Sequence, residues 1–73
     1  MLKWRWESDT LWYEAELTND LFGDWLLIRR WGGLYNGRFG TKTHIVPDLL
    51  SGVALLFAID RERQARNPPY KRL

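Results

Sequence analysis

The sequence contains 73 residues, which is enough for one small domain and too short for two domains of ordinary size. Hydrophobic residues make up 45% and charged residues 27%, a composition that predicts a folded chain and excludes intrinsic disorder. The absence of cysteine excludes a disulfide framework, a thiolate metal site and a cysteine nucleophile. We therefore predict a single domain over residues 1–73.

The first two segments alternate apolar and charged residues, a pattern typical of half-buried strands. Residues 2–7 form the first predicted strand, which ends at the turn formers Ser8 and Asp9. Residues 11–18 form the second, and Glu14 and Glu16 give it an acidic outer face. The loop at residues 19–24 is rich in turn formers and predicts a hairpin connection to the next strand.

Two more strands are predicted at residues 25–34 and 38–46. The third is apolar on both faces in its middle, at residues 26–28, as expected of a central strand covered on one side. Asn36-Gly37 separates the two segments and predicts a type I′ turn, in which both central residues have positive φ. The fourth segment contains the β-formers Thr41, Thr43 and Ile45.

The pattern changes to a helical one after Pro47. Asp48 or Ser51 is expected to cap a helix with its body at residues 53–66, ended by Asn67 and Pro68-Pro69. Residues 60–64 are expected to be solvated. The residues expected to lie on the sheet are Leu49, Leu50, Val53, Ala54, Leu56, Phe57, Ala58 and Ala65. The predicted fold is therefore α+β, an antiparallel four-stranded sheet with one C-terminal helix packed on one face, in which Trp25 and Phe57 are substantially buried.

The residues that catalysis requires are scarce. His44 is the single histidine, and Ser8 and Ser51 occupy turn or cap positions that explain them without catalysis. No glycine-rich loop precedes the predicted helix to hold a phosphate. We therefore expect no enzymatic activity, no cofactor and no bound metal.

The sequence also bears on location and partners. The longest apolar run, residues 53–59, falls far short of the roughly 20 residues that span a bilayer, so no membrane association is expected. No apolar signal core follows Met1, which favours a cytoplasmic protein, and we expect a monomer.

Charge is divided unevenly along the chain. Residues 1–28 contain two basic and six acidic residues, whereas residues 29–73 contain nine basic and three acidic residues. A polyanionic partner is therefore expected to bind the second half. The basic residues of the C-terminal segment offer a second binding face, although cations also favour the end of a helix through its dipole; they are Arg61, Arg63, Arg66, Lys71 and Arg72.

The most informative stretch is residues 28–38. Trp31 stands beside two glycines, with Arg29, Arg30 and Arg38 nearby. Proteins hold nucleic-acid ends in this way, because a base or sugar stacks on the ring while the cation binds a phosphate. The alternative is that Trp31 is a core or sheet-edge aromatic residue and the glycines form a bulge. Packing alone accounts for the other four tryptophans, Trp4, Trp6, Trp12 and Trp25.

The order of these motifs resembles the WGR domain of poly(ADP-ribose) polymerases and many bacterial proteins. The resemblance covers about residues 4–70, which would form the core of the domain, and extends towards residue 73. It rests on five segments and Tyr70: residues 12–17, residues 21–25, Arg29-Arg30-Trp31-Gly32, Gly37-Arg38 and residues 54–58. The resemblance implies that the signature tryptophan packs on the terminal nucleotide of a DNA break and that an arginine reaches into the DNA end.

This sequence departs from the family pattern at one signature position. The third signature residue is Gly33 instead of arginine, so only Trp31 and Gly32 match the family's triplet. The predicted function is a non-catalytic nucleic-acid-binding module that recognises DNA ends. The predicted site consists of Trp31, Gly32, Arg29, Arg30, Arg38 and Lys42. The alternative is a protein-docking module that uses the tryptophan-rich sheet.

Overall fold

A computed structural model describes residues 2–73. The chain forms β1 (Leu2–Glu7), β2 (Leu11–Asn19), β3 (Trp25–Gly33), β4 (Phe39–Val46), α1 (Leu49–Gln64) and β5 (Lys71–Arg72). All strand pairs are antiparallel, and the order across the sheet is β4-β3-β2-β1-β5. The α+β class, the antiparallel sheet and the helix packed against it are confirmed. The predicted strand number is wrong, because β5 adds a short fifth strand beside β1.

Strand alternation divides the sheet into two faces. Tyr13, Ala15 and Leu17 of β2 are buried on the face that α1 covers, which we call the helix-covered face. Glu14 and Glu16 lie on the opposite face, which we call the open face. On β3, Leu27 is buried opposite Leu17, so the odd-numbered residues of this strand share the helix-covered face.

The helix begins earlier than predicted. Asp48 is the N-cap, and its carboxylate accepts a hydrogen bond from the backbone N–H of Ser51 at 2.7 Å. The helical region therefore starts at Leu49, not Val53, and ends at Gln64, two residues before the predicted end. Ser51 is inside the helix and is not its cap.

The helix packs on the sheet through only part of the predicted set: Leu56 is buried in the core and Val53 packs against it. Its buried residues are Gly52, Leu56, Ile59 and Arg63. Gly52 allows a close approach to the sheet, because a Cβ there would lie 2.9 Å from Cδ2 of Leu17.

Several residues predicted to lie on the sheet are instead exposed. Phe57 is 49% exposed and touches the sheet only through an edge contact with Trp4, at 5.2 Å between ring centroids. Leu49, Leu50, Ala54 and Ala65 are exposed. Trp25 packs against the core but is only half-buried, so it is less buried than predicted.

The predicted type I′ turn at Asn36-Gly37 is wrong. Gly37 has φ of 70°, but within residues 2–73 no residue other than glycine has positive φ, so Asn36 lacks the required conformation. A longer loop joins β3 to β4, and the Asn36 side chain accepts a hydrogen bond from the backbone N–H of Arg38 at 3.0 Å. The backbone N–H of Leu34 donates to the Thr10 carbonyl at 2.8 Å, which ties this loop to the β1–β2 turn.

The C-terminal segment closes the core beside β1. Trp6 is fully buried, and its indole N–H donates to the Asp60 carboxylate at 2.8 Å. Tyr70 is also buried, and the Arg72 guanidinium lies over the Trp4 ring at 4.4 Å. The C-terminal residues therefore belong to the folded unit, which extends past residue 70.

Candidate nucleic-acid interface

Trp31 is held firmly near the end of β3. It is paired across the sheet with Tyr13 and with Gly40. The Trp31 and Tyr13 rings are stacked, with an interplanar angle of 14° and centroids 6.1 Å apart. Gly40 leaves room for the indole, because a Cβ at residue 40 would lie 2.5 Å from the Trp31 ring. With 39% of its surface exposed, Trp31 is neither a core residue nor disordered, and it offers an aromatic surface in a fixed orientation.

A cleft of about 590 Å³ opens beside Trp31. We call it the Trp31 cleft, and its lining residues are Leu11, Trp12, Trp31, Gly32, Gly33, Arg38, Phe39 and Tyr70. Its volume lies within the roughly 300–1,000 Å³ of small-molecule and cofactor sites. The cleft therefore places a part-exposed aromatic ring and a basic residue, Arg38, around one space.

The two signature-like glycines have different roles in this cleft. A Cβ at Gly32 would collide with the Arg38 carbonyl oxygen and lie 2.8 Å from the Trp12 indole nitrogen, so close packing requires glycine there. The atoms nearest to a Cβ at Gly33 would belong to the side chain of Asn36, and φ at Gly33 is not positive. Both glycines remain in regular register with β2, so they do not form the bulge of the alternative interpretation.

The predicted cations are divided between the two faces of the sheet. Arg29 pairs in register with Lys42, and both lie on the helix-covered face with Trp31. Arg30 points to the open face, where it donates to Glu16 at 3.2 Å. The structure therefore brings Arg29, Arg38 and Lys42 towards Trp31 and separates Arg30 from it.

Charge compensation also differs between the faces. On the open face, Arg5 forms ion pairs with Glu14 at 2.8 Å and Glu7 at 2.9 Å. Within residues 2–73, Arg29, Arg38 and Lys42 form no ion pair. The acidic residues of β2 thus neutralise open-face cations, and the uncompensated charge lies near Trp31.

His44 responds to this positive environment. It lies on the helix-covered face opposite Leu27. Burial lowers the pKa of His44, and the positive charges of Arg29 and Lys42 lower it further. His44 is therefore a neutral neighbour of the cationic residues near neutral pH.

The sequence predicted no site role for Tyr13, and it placed Arg63 in a separate, solvated C-terminal face instead of beside Tyr13. Arg63, predicted to be solvated, is only 9% exposed, and its guanidinium lies 3.8 Å from the Tyr13 ring centroid and 5.5 Å from that of Tyr70. A signal was present in the spacing, because Arg63 follows Leu56 by seven residues and Ile59 by four, which places all three on one helix face.

No protein-family model, curated protein or solved structure matches this chain. The WGR resemblance thus remains a prediction from the sequence motifs. Among residues 2–73, no helix has the length and apolar character needed to cross a membrane. The same residues contain no group of three or more His, Asp or Glu side chains arranged to hold a metal ion.

Proposed function

We propose that this protein is a non-catalytic nucleic-acid-binding module that holds the end of a DNA strand against Trp31. The observation that supports this proposal is a part-exposed, firmly packed tryptophan in a cleft that Arg38 also lines. Within residues 2–73, Arg38 forms no ion pair. A terminal base or sugar can stack on the ring while the cation binds its phosphate. The resemblance of Trp31-Gly32 to the WGR signature supports the same ligand.

The positions of the cations define the phosphate contacts in this proposal. Arg38 lines the Trp31 cleft, and Arg29 and Lys42 lie on the face of the sheet that carries Trp31. Arg30 is excluded, because it faces the other way and pairs with Glu16. Three phosphate contacts predict a modest salt dependence, with a slope of log K against log salt of about −2 to −3.

Binding to labelled DNA tests the proposal. Fluorescence anisotropy with blunt, nicked and single-stranded DNA carrying 5′-hydroxyl ends should show the tightest binding to ends. Trp31→Ala should lose about 1 to 3 kcal/mol of affinity, the usual range for one stacked base. Arg38→Gln should weaken binding, whereas the matched control Arg30→Gln should leave it unchanged. The proposal fails if Trp31→Ala binds as the parent does and the two arginine variants behave alike.

Chemical shifts locate the surface independently. On addition of DNA, amide shifts should concentrate at Trp31, Arg38 and Lys42. Shifts concentrated at Glu14 and Glu16 would place the ligand on the acidic open face and contradict the proposal.

Docking of a protein partner is the second candidate function. The sequence predicts docking through the tryptophan-rich sheet, but Trp6 is fully buried and Trp4 and Trp25 are half-buried against the core. Exposed apolar residues elsewhere favour docking better, and they include Leu21, Phe22, Ile45 and Leu50. Affinity that hardly changes with salt would favour this function over DNA binding.

A further inference from the structure

A second pocket also borders Trp31 and has a different composition from the Trp31 cleft. It is an open pocket of about 320 Å³, lined by residues of β2, β3, the end of α1 and the segment that follows α1. We call it the arginine pocket, and its lining residues are Tyr13, Arg29, Trp31, Arg63, Arg66 and Tyr70. It shares Trp31 and Tyr70 with the Trp31 cleft, whereas Arg38 lines the cleft and Arg66 lines the arginine pocket, so variants of these two arginines distinguish the two spaces.

Two guanidinium groups of this pocket have buried donors without acceptors. The Nε atoms of Arg29 and Arg63 are buried, and neither has a hydrogen-bond partner within residues 2–73. Buried donors are nearly always paired, because an unmade hydrogen bond leaves the cost of desolvation uncompensated. The two arginines come from different elements, a strand and a helix, and converge on one space. The two residues that carry these donors line the pocket, where an anionic ligand would meet two positive charges.

The charge of the pocket matches a doubly charged anion. Arg29, Arg63 and Arg66 carry three positive charges, and Arg29 forms no ion pair within residues 2–73. Within residues 2–73, the carboxylate that pairs with these arginines is Glu62, which lies 3.5 Å from Nη2 of Arg63 and 3.3 Å from Nη2 of Arg66. Glu62 is exposed at the rim, and it leaves two positive charges uncompensated. A phosphate monoester carries one and a half to two negative charges near neutral pH.

Aromatic rings occupy the remaining walls. Arg63 holds the Tyr13 ring from one side, and Tyr13 is in turn stacked against Trp31. The pocket volume is at the lower end of the range for small-molecule sites, which favours a ligand no larger than a mononucleotide. We propose that the arginine pocket binds a free nucleoside monophosphate, with its phosphate on Arg29, Arg63 and Arg66 and its base against Trp31. This site is additional to DNA-end binding in the Trp31 cleft.

Calorimetric titration of the whole chain with AMP, adenosine and inorganic phosphate tests this proposal. AMP should bind most tightly, inorganic phosphate at least fivefold more weakly, and adenosine without detectable heat. Arg29→Gln should weaken AMP binding by about tenfold or more, because it removes a charged hydrogen bond to phosphate. Arg30→Gln is the matched control and should bind AMP as the parent does. In NMR spectra, the Nε–H signals of Arg29 and Arg63 should move when AMP binds.

Further variants keep the test decisive if a buried substitution disturbs folding. Arg66 is exposed, so Arg66→Gln should fold and should also weaken AMP binding. Arg38→Gln should leave AMP binding unchanged, since Arg38 lines only the other cleft.

Three outcomes would overturn the proposal: adenosine binding as tightly as AMP, inorganic phosphate binding as tightly as AMP, or equal affinities for Arg29→Gln and Arg30→Gln. Binding of 5′-phosphorylated single-stranded DNA through Arg29, without binding of AMP, would also overturn it. AMP binding without any DNA binding would instead refute the proposed function and leave this site standing.

Discussion

The helix face that contacts the sheet can be tested with two neighbouring residues. Leu56 is fully buried, whereas Phe57 is 49% exposed. Leu56→Ala should cost about 2 to 5 kcal/mol of unfolding free energy, because it removes buried surface and leaves a cavity. Phe57→Ala should cost only about 1 to 2 kcal/mol, the sum of a half-buried side chain and its edge contact with Trp4.

Urea and thermal unfolding of both variants measure this difference. Each kcal/mol corresponds to roughly 4 to 8 °C in Tm for a domain of this size. If Leu56→Ala does not fold, Leu56→Val removes less volume, should cost about 1 kcal/mol of unfolding free energy, and keeps the comparison measurable. A loss for Phe57→Ala equal to or greater than that for Leu56→Ala would mean that the helix packs on the sheet through a different face.

Three further predictions concern the loop beside Trp31 and the response to pH. Gly33→Arg should fold with a loss of about 1 kcal/mol, measured by thermal unfolding, because the Asn36 side chain nearest to the new Cβ must move and its hydrogen bond is lost. Under the proposed function, this variant should also bind DNA ends more tightly. The hydrogen bond from Trp6 lowers the pKa of Asp60 in the folded state. The stabilisation that Asp60 contributes is therefore present above the unfolded pKa of about 3.9 and is lost as pH falls through the lower folded value. Asp60→Asn should flatten the acidic side of a plot of unfolding free energy against pH. Burial lowers the pKa of His44, so the unfolded state gains a proton first as pH falls below about 6.5, and the folded state loses stability. The urea midpoint should therefore fall between about pH 7 and 5 in the parent and stay constant in His44→Gln.

The strands could be predicted because alternation is a strong and local signal. Residues 13–18 alternate without a break, and the observed β2 extends one residue beyond the predicted end at residue 18. The face of the helix could not be predicted in the same way. Apolar residues surround much of α1, including Leu50, Leu55 and Phe57, so no single face is marked by hydrophobicity. The close approach at Gly52 decides the face, and it depends on the position of Leu17 in the folded sheet.

The site could be predicted only in part for a related reason. Trp31 and the nearby cations are adjacent in sequence, but successive residues of a strand point to opposite faces, so Arg29 and Arg30 are separated. The alternating pattern of the sequence was enough to predict this separation. The arginine pocket is different, because it unites β3 with the end of α1 and with Tyr70. Contacts of that range depend on tertiary packing and have no local sequence pattern. The two residues of β5 were missed because they are too few to show any periodicity.

The pairing of the C-terminal strand β5 with the N-terminal strand β1 has a consequence for folding during synthesis. The first four strands are joined as successive hairpins, so their contacts are close in sequence and can form while the chain is still being made. Trp6 must wait for its hydrogen-bond acceptor 54 residues later, and for β5 to pair beside it. We expect a nascent chain that stops before residue 60 to expose Trp6 and bind chaperones, and this exposure to end when the C-terminal residues emerge from the ribosome.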